Sequence, residues 1–199
     1  GAIRVGMECH PCQDWLMRVV DPFLAEWPDV ELDVTTAFQF GGLAALLSHE
    51  IDILVTPDPI ERAGLEYRPV FDYELVLAVA ETHPLARKQS VEPEDLAGET
   101  LITYPVSRER LDIFTRFLVP AHALPRRHRT VETTDLMLRL VASGRAVSAT
   151  PDWLLRGAKG VKGVRIGEGI AKSIHLGYRK GTRAAYMDGF MGLAEAVHI

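Results

Sequence analysis

Short apolar runs alternate with segments of helical periodicity over the first 57 residues, and that alternation leaves few folds open to the chain. IRVGME (3–8) is a short strand-like run. From Gln13 onward Trp15, Leu16, Val19, Val20, Phe23, Leu24 and Trp27 mark one face of an amphipathic helix, which Pro28 and Asp29 stop. VELDVTT (30–36) alternates as a half-buried strand, FGGLAALLSHE (40–50) predicts a second helix, and IDILVTP (51–57) is a continuous apolar strand expected to be buried on both faces. Strands separated by helices imply right-handed crossovers and an open parallel sheet.

A second series follows. The stretch 65–82, interrupted by Pro69, predicts a crossing segment and a new strand. Strands are expected at 99–105, 127–132 and 146–151, and helices at 108–118, with Leu111, Phe114, Phe117 and Leu118 on one face, and at 134–144, closed by Gly144. DWLLRG predicts a short helix, 157–169 is a glycine-spaced segment of mixed character, 172–179 is a strand and 186–199 a closing helix. The chain therefore divides into two similar α/β halves joined by extended segments near 70–77 and 160–175. Residues 1–73 with 164–199 form the first lobe and 74–163 the second, a hinged, two-lobed binding arrangement.

The 199 residues suffice for a real core, and the net charge of -5 gives no field that gathers phosphates. Only RRHR (126–129) is locally basic, without interleaved aromatic residues, so nucleic acid is not expected as a partner of this stretch itself. No run approaches the length of a membrane-crossing helix and the N-terminus lacks the pattern of a cleavable signal, which makes the cytoplasm the expected location. The chain opens on Gly1 and enters a strand almost at once, as a fragment of a longer protein would.

MECHPCQDW (7–15) holds both cysteines of the chain, Cys9 and Cys12, between a strand and a helix start. Three readings compete. A redox centre uses such a position because the helix dipole lowers a thiol pKa, yet the repeated strand and helix series is wrong for a thioredoxin-like fold. A metal site would draw on Glu8, Cys9, His10 and Cys12, although one tight turn rarely aims four ligands at one ion. The third reading packs both cysteines as small residues under the helix cap with His10 at the edge of a cleft, and it is the preferred one. No disulfide framework is expected from two cysteines. Elsewhere His83, His122, His128 and His175 are scattered, Ser107 belongs to no triad, and GxSxG, P-loop and GxGxxG strings are absent, so no catalytic role is expected.

Ligands of open parallel sheets settle outside the carboxyl ends of the strands, where unpaired backbone N–H groups and helix dipoles favour an anion. The loops in that position are 8–12, 36–41, 56–59, 103–107, 132–134 and 150–153. An amino-acid carboxylate suits such a place. The apolar width of the helices at 13–27 and 134–144 also exceeds one core stripe, which points to a subunit interface.

Four strings, MECHPCQDWLM (7–17), ALLSHEIDILVTPDP (45–59), ETLITYPVSRERLDIF (99–114) and RTVETTDLMLRLVASGRAVSATPDWLL (129–155), resemble the effector-binding domain of LysR-type transcriptional regulators. Within that family they are similar to the MetR-like branch, regulators of methionine biosynthesis. The resemblance implies a fold of two Rossmann-like lobes joined by hinge strands, periplasmic-binding-protein-like (type 2). It implies no enzyme activity, cofactor or metal. It also implies a homocysteine-like effector in the cleft between lobes, with relay to an N-terminal winged helix-turn-helix that would contact DNA and does not precede Gly1. The implied site draws on Glu8, Cys9, His10, Cys12, Phe38, Phe40, Pro57, Asp58, Thr103, Tyr104, Pro105, Thr133, Thr134, Thr150 and Pro151. Glu8 or Asp58 would meet the ammonium, the aromatic residues and Pro151 would form an apolar wall, and the threonines would offer hydroxyls. An antiparallel homodimer is expected, tetrameric in a full-length protein, with no membrane association. Ala146 and Ser148 depart from the glycine and alanine frequent in the family, yet both are small. A periplasmic-type solute receptor, or a thiol or metal protein built on Cys9 and Cys12, is the alternative.

Overall fold

The structure is a computed structural model that describes residues 1–36 and 41–199, without the side chain of His10. The expectations for Phe38, Phe40 and the His10 imidazole lie outside the described residues. The chain divides into two units, Gly1–Asp72 with Ser173–Ile199, and Tyr73–Lys172.

In the first unit β1 (Ala2–Met7) pairs in parallel with β2 (Glu31–Thr35) on one side and with β3 (Ile53–Thr56) on the other. The helix between β1 and β2 is α1 (Gln13–Glu26), and the short α2 (Gly42–Leu47) leads into β3. The apolar spacing has the expected result. Trp15, Leu16, Val19, Val20 and Phe23 are buried, whereas Leu24 of the expected face is exposed and Trp27 half-buried; all four residues of β3 are buried, and β2, at the sheet edge, is only half covered.

The sheet departs from the expected all-parallel order. On its other side β3 pairs antiparallel with β9 (Val161–Arg179), so the unit is finished by chain that returns from the other half. After β9, α4 (Ala185–Ala196) packs on α1, where Phe23 and Phe190 meet edge to face with centroids 5.3 Å apart. The Trp15 indole donates to the Val197 carbonyl at 3.1 Å and holds the end of α4 in place.

β4 (Leu65–Ala80) and β9 are the two long strands that run from one unit into the other. The second unit begins with the last half of β4, antiparallel to β8 (Ser148–Pro151), with Leu75 opposite Pro151. β5 (Ser90–Val91) pairs in parallel with Arg165 and Ile166 of β9. β6 (Thr100–Thr103) pairs in parallel with β7 (Arg127–Thr130), and Leu101 also bridges Val147. α3 (Thr134–Ala142) follows, and Gly144 closes it at φ 75°, the left-handed conformation expected from its place. Leu77, Val79, Leu96, Leu101, Phe114, Leu118, Val147 and Ile166 form the main core of this unit.

Three expectations need correction. The helix at 108–118 is broken: a 3-10 turn, Arg108–Arg110, ends at an extended Leu111, and Ile113–Leu118 then winds as a wide π-type turn. The expected burial of Phe114, Phe117 and Leu118 survives that change, with Leu111 only half-buried and Ile113 buried in addition, because the core selects side chains and tolerates irregular backbone. The glycine-spaced segment is strand, with Gly167 at φ 53° and Gly169 at φ 106° bending β9 without ending it. Lastly, the return to the first unit comes at Ser173, later than 164, since Arg165 and Ile166 are held by β5.

Candidate functional site

The carboxyl ends of β1 and β3 meet at Glu8. Its amide donates to the Val55 carbonyl at 2.9 Å, which carries the β1–β3 pairing one residue past Met7. The side chain is buried, with Oε1 accepting from the Gly42 amide at 3.0 Å and Oε2 from the Thr56 hydroxyl at 2.8 Å. Thr56 Oγ1 in turn accepts from the Asp58 amide at 3.0 Å. One carboxylate thus ties together the end of β1, the first turn of α2 and the loop after β3. A Cβ on residue 42 would lie 2.8 Å from Glu8 Oε1 and 2.4 Å from Leu54 Cδ1, so only glycine allows this approach.

Directly after Glu8, Cys9 and Cys12 are joined by a disulfide across the 3-10 turn His10–Cys12. This corrects the expectation of two separately packed thiols. Their Cα atoms lie 5.3 Å apart because the turn also closes a backbone bond from the Cys12 amide to the Cys9 carbonyl, and that spacing suits a bridge. Among the described residues no group of three or more His, Cys, Asp and Glu side chains is placed to hold a metal ion. Pro57 and Asp58 are half-buried beside Thr56.

In the second unit the polar groups gather at the ends of β6 and β8, joined by His128 from within β7. Thr103 Oγ1 lies 2.8 Å from His128 Nε2 and 3.0 Å from the Tyr104 carbonyl. The hydroxyl has a single proton, and when it goes to the carbonyl the imidazole Nε2–H donates to Thr103. Burial, and secondarily the Arg108 charge, push the His128 pKa down. The ring rests edge-on against Phe114, centroids 5.0 Å apart, with the Arg108 guanidinium over the Phe114 ring. Tyr104 and Thr134 share a short hydrogen bond between hydroxyls; burial pushes the Tyr104 pKa up, and this bond opposes it only in part.

Thr133 is committed to structure, since as the N-cap of α3 it accepts from the Leu136 amide. Thr150, fully buried on β8, carries a hydroxyl with no hydrogen-bond partner among the described residues, whereas its neighbour Ser148 donates to the Ile102 carbonyl at 2.8 Å. A buried hydroxyl in that condition is ordinarily completed by a ligand or a water. Pro105 is exposed and Pro151 half-buried.

The expected residues therefore form two sets. Glu8, Cys9, Cys12 and Asp58 belong to one, and Thr103, Tyr104, Thr134, Thr150 and Pro151 to the other, each at strand ends of its own unit. Gly42, Thr56 and His128 are additions. A glycine pair ahead of a helix and a threonine ending an otherwise apolar strand were signals for the first two; His128 had none, because its partner is 25 residues away.

Residues 1–197 match the model of the LysR substrate binding domain. This chain belongs to the LysR substrate-binding domain family. The HTH-type transcriptional regulator MetR of Salmonella typhimurium is 38% identical over 193 residues, which are 95% of this chain and 61% of that protein. MetR of Escherichia coli K12 is likewise 38% identical over 182 residues, 90% of this chain and 57% of that protein. This domain thus spans about 60% of the length of the curated relatives it matches, and those relatives are transcriptional regulators. Among solved structures, the regulatory domain of MetR, a LysR family regulator from N. meningitidis, superposes with a TM-score of 0.88 at 36% identity, covering 98% of this chain and 93% of that one. The LysR-type regulatory domain described here is MetR-like, and its fold is the α/β, periplasmic-binding-protein-like (type 2) arrangement of the family. Among the described residues no helix is long and apolar enough to cross a membrane.

Proposed function

We propose that this domain is the effector sensor of a cytoplasmic transcriptional regulator of methionine biosynthesis, without enzyme activity, and that it binds a small amino acid, homocysteine. The observation that carries the proposal is the gathering of polar groups at the carboxyl ends of parallel strands in each unit, the place where open α/β sheets take ligands. Glu8, with the disulfide turn and the Thr56–Asp58 loop, would serve the ammonium. Thr134, the first residue of α3, and the Thr150 hydroxyl, unpartnered among the described residues, would serve the carboxylate. Binding would favour one arrangement of the two units over another, and this preference would be relayed to a DNA-binding module outside these residues. Met17, Leu24 and Leu136 remain exposed on α1 and α3, which supports a homodimer through these helices and a tetramer of the complete protein.

Differential scanning fluorimetry and calorimetry with homocysteine, methionine and cysteine test the ligand assignment. At about 100 times the dissociation constant homocysteine should stabilise the fold by about 2.7 kcal/mol. No response to homocysteine, with the fold intact by circular dichroism, refutes the assignment.

A further inference from the structure

The ligand contacts proposed above use the Cys9–Cys12 turn for its position and not for its chemistry, yet its two sulfurs are chemically unequal. Cys12 is the N-cap of α1, a helix of 14 residues, and its side chain makes no capping hydrogen bond. Cys9 lies one turn earlier and is the more exposed of the pair, at 5% against 0% for Cys12. A thiolate at a helix N-terminus is stabilised by the dipole and by the unpaired N–H groups, and in disulfide exchange the thiol of lower pKa is the better leaving group. Attack is therefore directed to Cys9 and departure to Cys12. Asp14, the acid of the same turn, is solvent-exposed.

We propose that the disulfide is a thiol-exchange site, which captures a small thiol-bearing amino acid as a mixed disulfide on Cys9 and releases Cys12 as a thiolate. This rests on the reading that the effector is such an amino acid. The ligand thiolate attacks Cys9 Sγ, a new S–S bond forms there, and the electron pair of the broken Cys9–Cys12 bond passes to Cys12 Sγ. The proton lost by the ligand thiol goes to solvent, and no external oxidant or reductant is consumed. The backbone bond from the Cys12 amide to the Cys9 carbonyl, 3.1 Å, keeps the released thiolate near the new bond, so Cys12 can expel the ligand again. The exchange frees the turn joined directly to Glu8, and through Glu8 the first turn of α2 and the loop after β3. Chemical state at the sulfurs is thereby coupled to the same loops that would hold the ligand.

The test is incubation of the oxidised protein with L-homocysteine, methionine or 2-mercaptoethanol, then acid quench, alkylation, intact mass and peptide mapping. The expected result is one homocysteine per chain on Cys9 with Cys12 alkylated. Its formation should be at least about tenfold faster than the 2-mercaptoethanol adduct at equal thiolate concentration, through effective molarity in the bound state. Methionine should give none. Calorimetry on the double variant Cys9→Ser/Cys12→Ser, its fold checked by circular dichroism, separates the two ideas. Homocysteine binding to parent and variant without any adduct on the parent overturns the exchange and leaves the sensor. No binding, with an adduct no faster than that of 2-mercaptoethanol, overturns both. An adduct on Cys12 with Cys9 free overturns the assigned direction.

Discussion

Replacing Glu8 by alanine would remove the acceptor for two donors held in the interior. The Gly42 amide, 3.0 Å from Oε1, and the Thr56 hydroxyl, 2.8 Å from Oε2, would both lose it. Leaving one buried donor without a partner destabilises by about 1 to 3 kcal/mol, so the pair sets a gross loss of about 2 to 6 kcal/mol. Relief from burying the carboxylate offsets part of this, as does rotation of the Thr56 hydroxyl, so a net loss of about 2 to 4 kcal/mol is expected. In a domain of this length each kcal/mol moves the melting temperature by about 2 to 4 °C, which gives a fall of about 5 to 15 °C. Glu8→Gln keeps the shape and one good acceptor and should lose about half as much. Urea titration and scanning calorimetry at neutral pH measure both variants. A change below about 0.5 kcal/mol in Glu8→Ala, with Glu8→Gln equally silent, refutes the idea that this carboxylate ties the three strand-end loops together.

The Arg4–Asp52–Arg179 cluster supports two further expectations. Burial raises the Asp52 pKa, but the hydrogen bonds from the Arg4 side chain and backbone, the Arg4 charge and the Arg179 hydrogen bond outweigh it, and the carboxyl stays below its ordinary value. A depressed carboxylate contributes stability above its unfolded pKa and loses it as pH falls through the folded value. Asp52→Asn should therefore lower the melting temperature at neutral pH and flatten its decline towards about pH 3, by thermal melts across that range. The Arg179 guanidinium also donates to the Leu46 and Ile51 carbonyls at 2.6 and 2.7 Å at the end of α2. Arg179→Met takes one donor from each of those carbonyls and from Asp52, which Arg4 still holds, and should reduce stability by about 1 to 3 kcal/mol in urea titrations while Cys9–Cys12 stays oxidised by thiol assay.

The element series was legible because its carriers are local. The spacing of Trp15, Leu16, Val19, Val20 and Phe23 reports one buried helix face, and the unbroken IDILVTP run reports a strand covered on both sides. The break at Leu111 was hidden because burial of Phe114 and Phe117 is compatible with more than one backbone winding. Of the site, the strand-end placement of Glu8, Thr103 and Tyr104 followed from strand order alone, whereas their partners did not.

By itself, the order of apolar and polar residues determined that this chain alternates strands and helices in two series, which residues face the cores and which loops stand at strand ends. Those properties depend on neighbours a few positions apart. Tertiary structure alone decided that Glu8 turns to Gly42 and Thr56, that His128 meets Thr103, that β3 is completed by the antiparallel β9, and that Cys9 and Cys12 are bonded. Most of these pairings join groups 25 to 48 residues apart, and the last depends on how tightly one turn is wound. The physical reason is that a buried polar group must find a partner in three dimensions, and a linear pattern records the need without naming the partner.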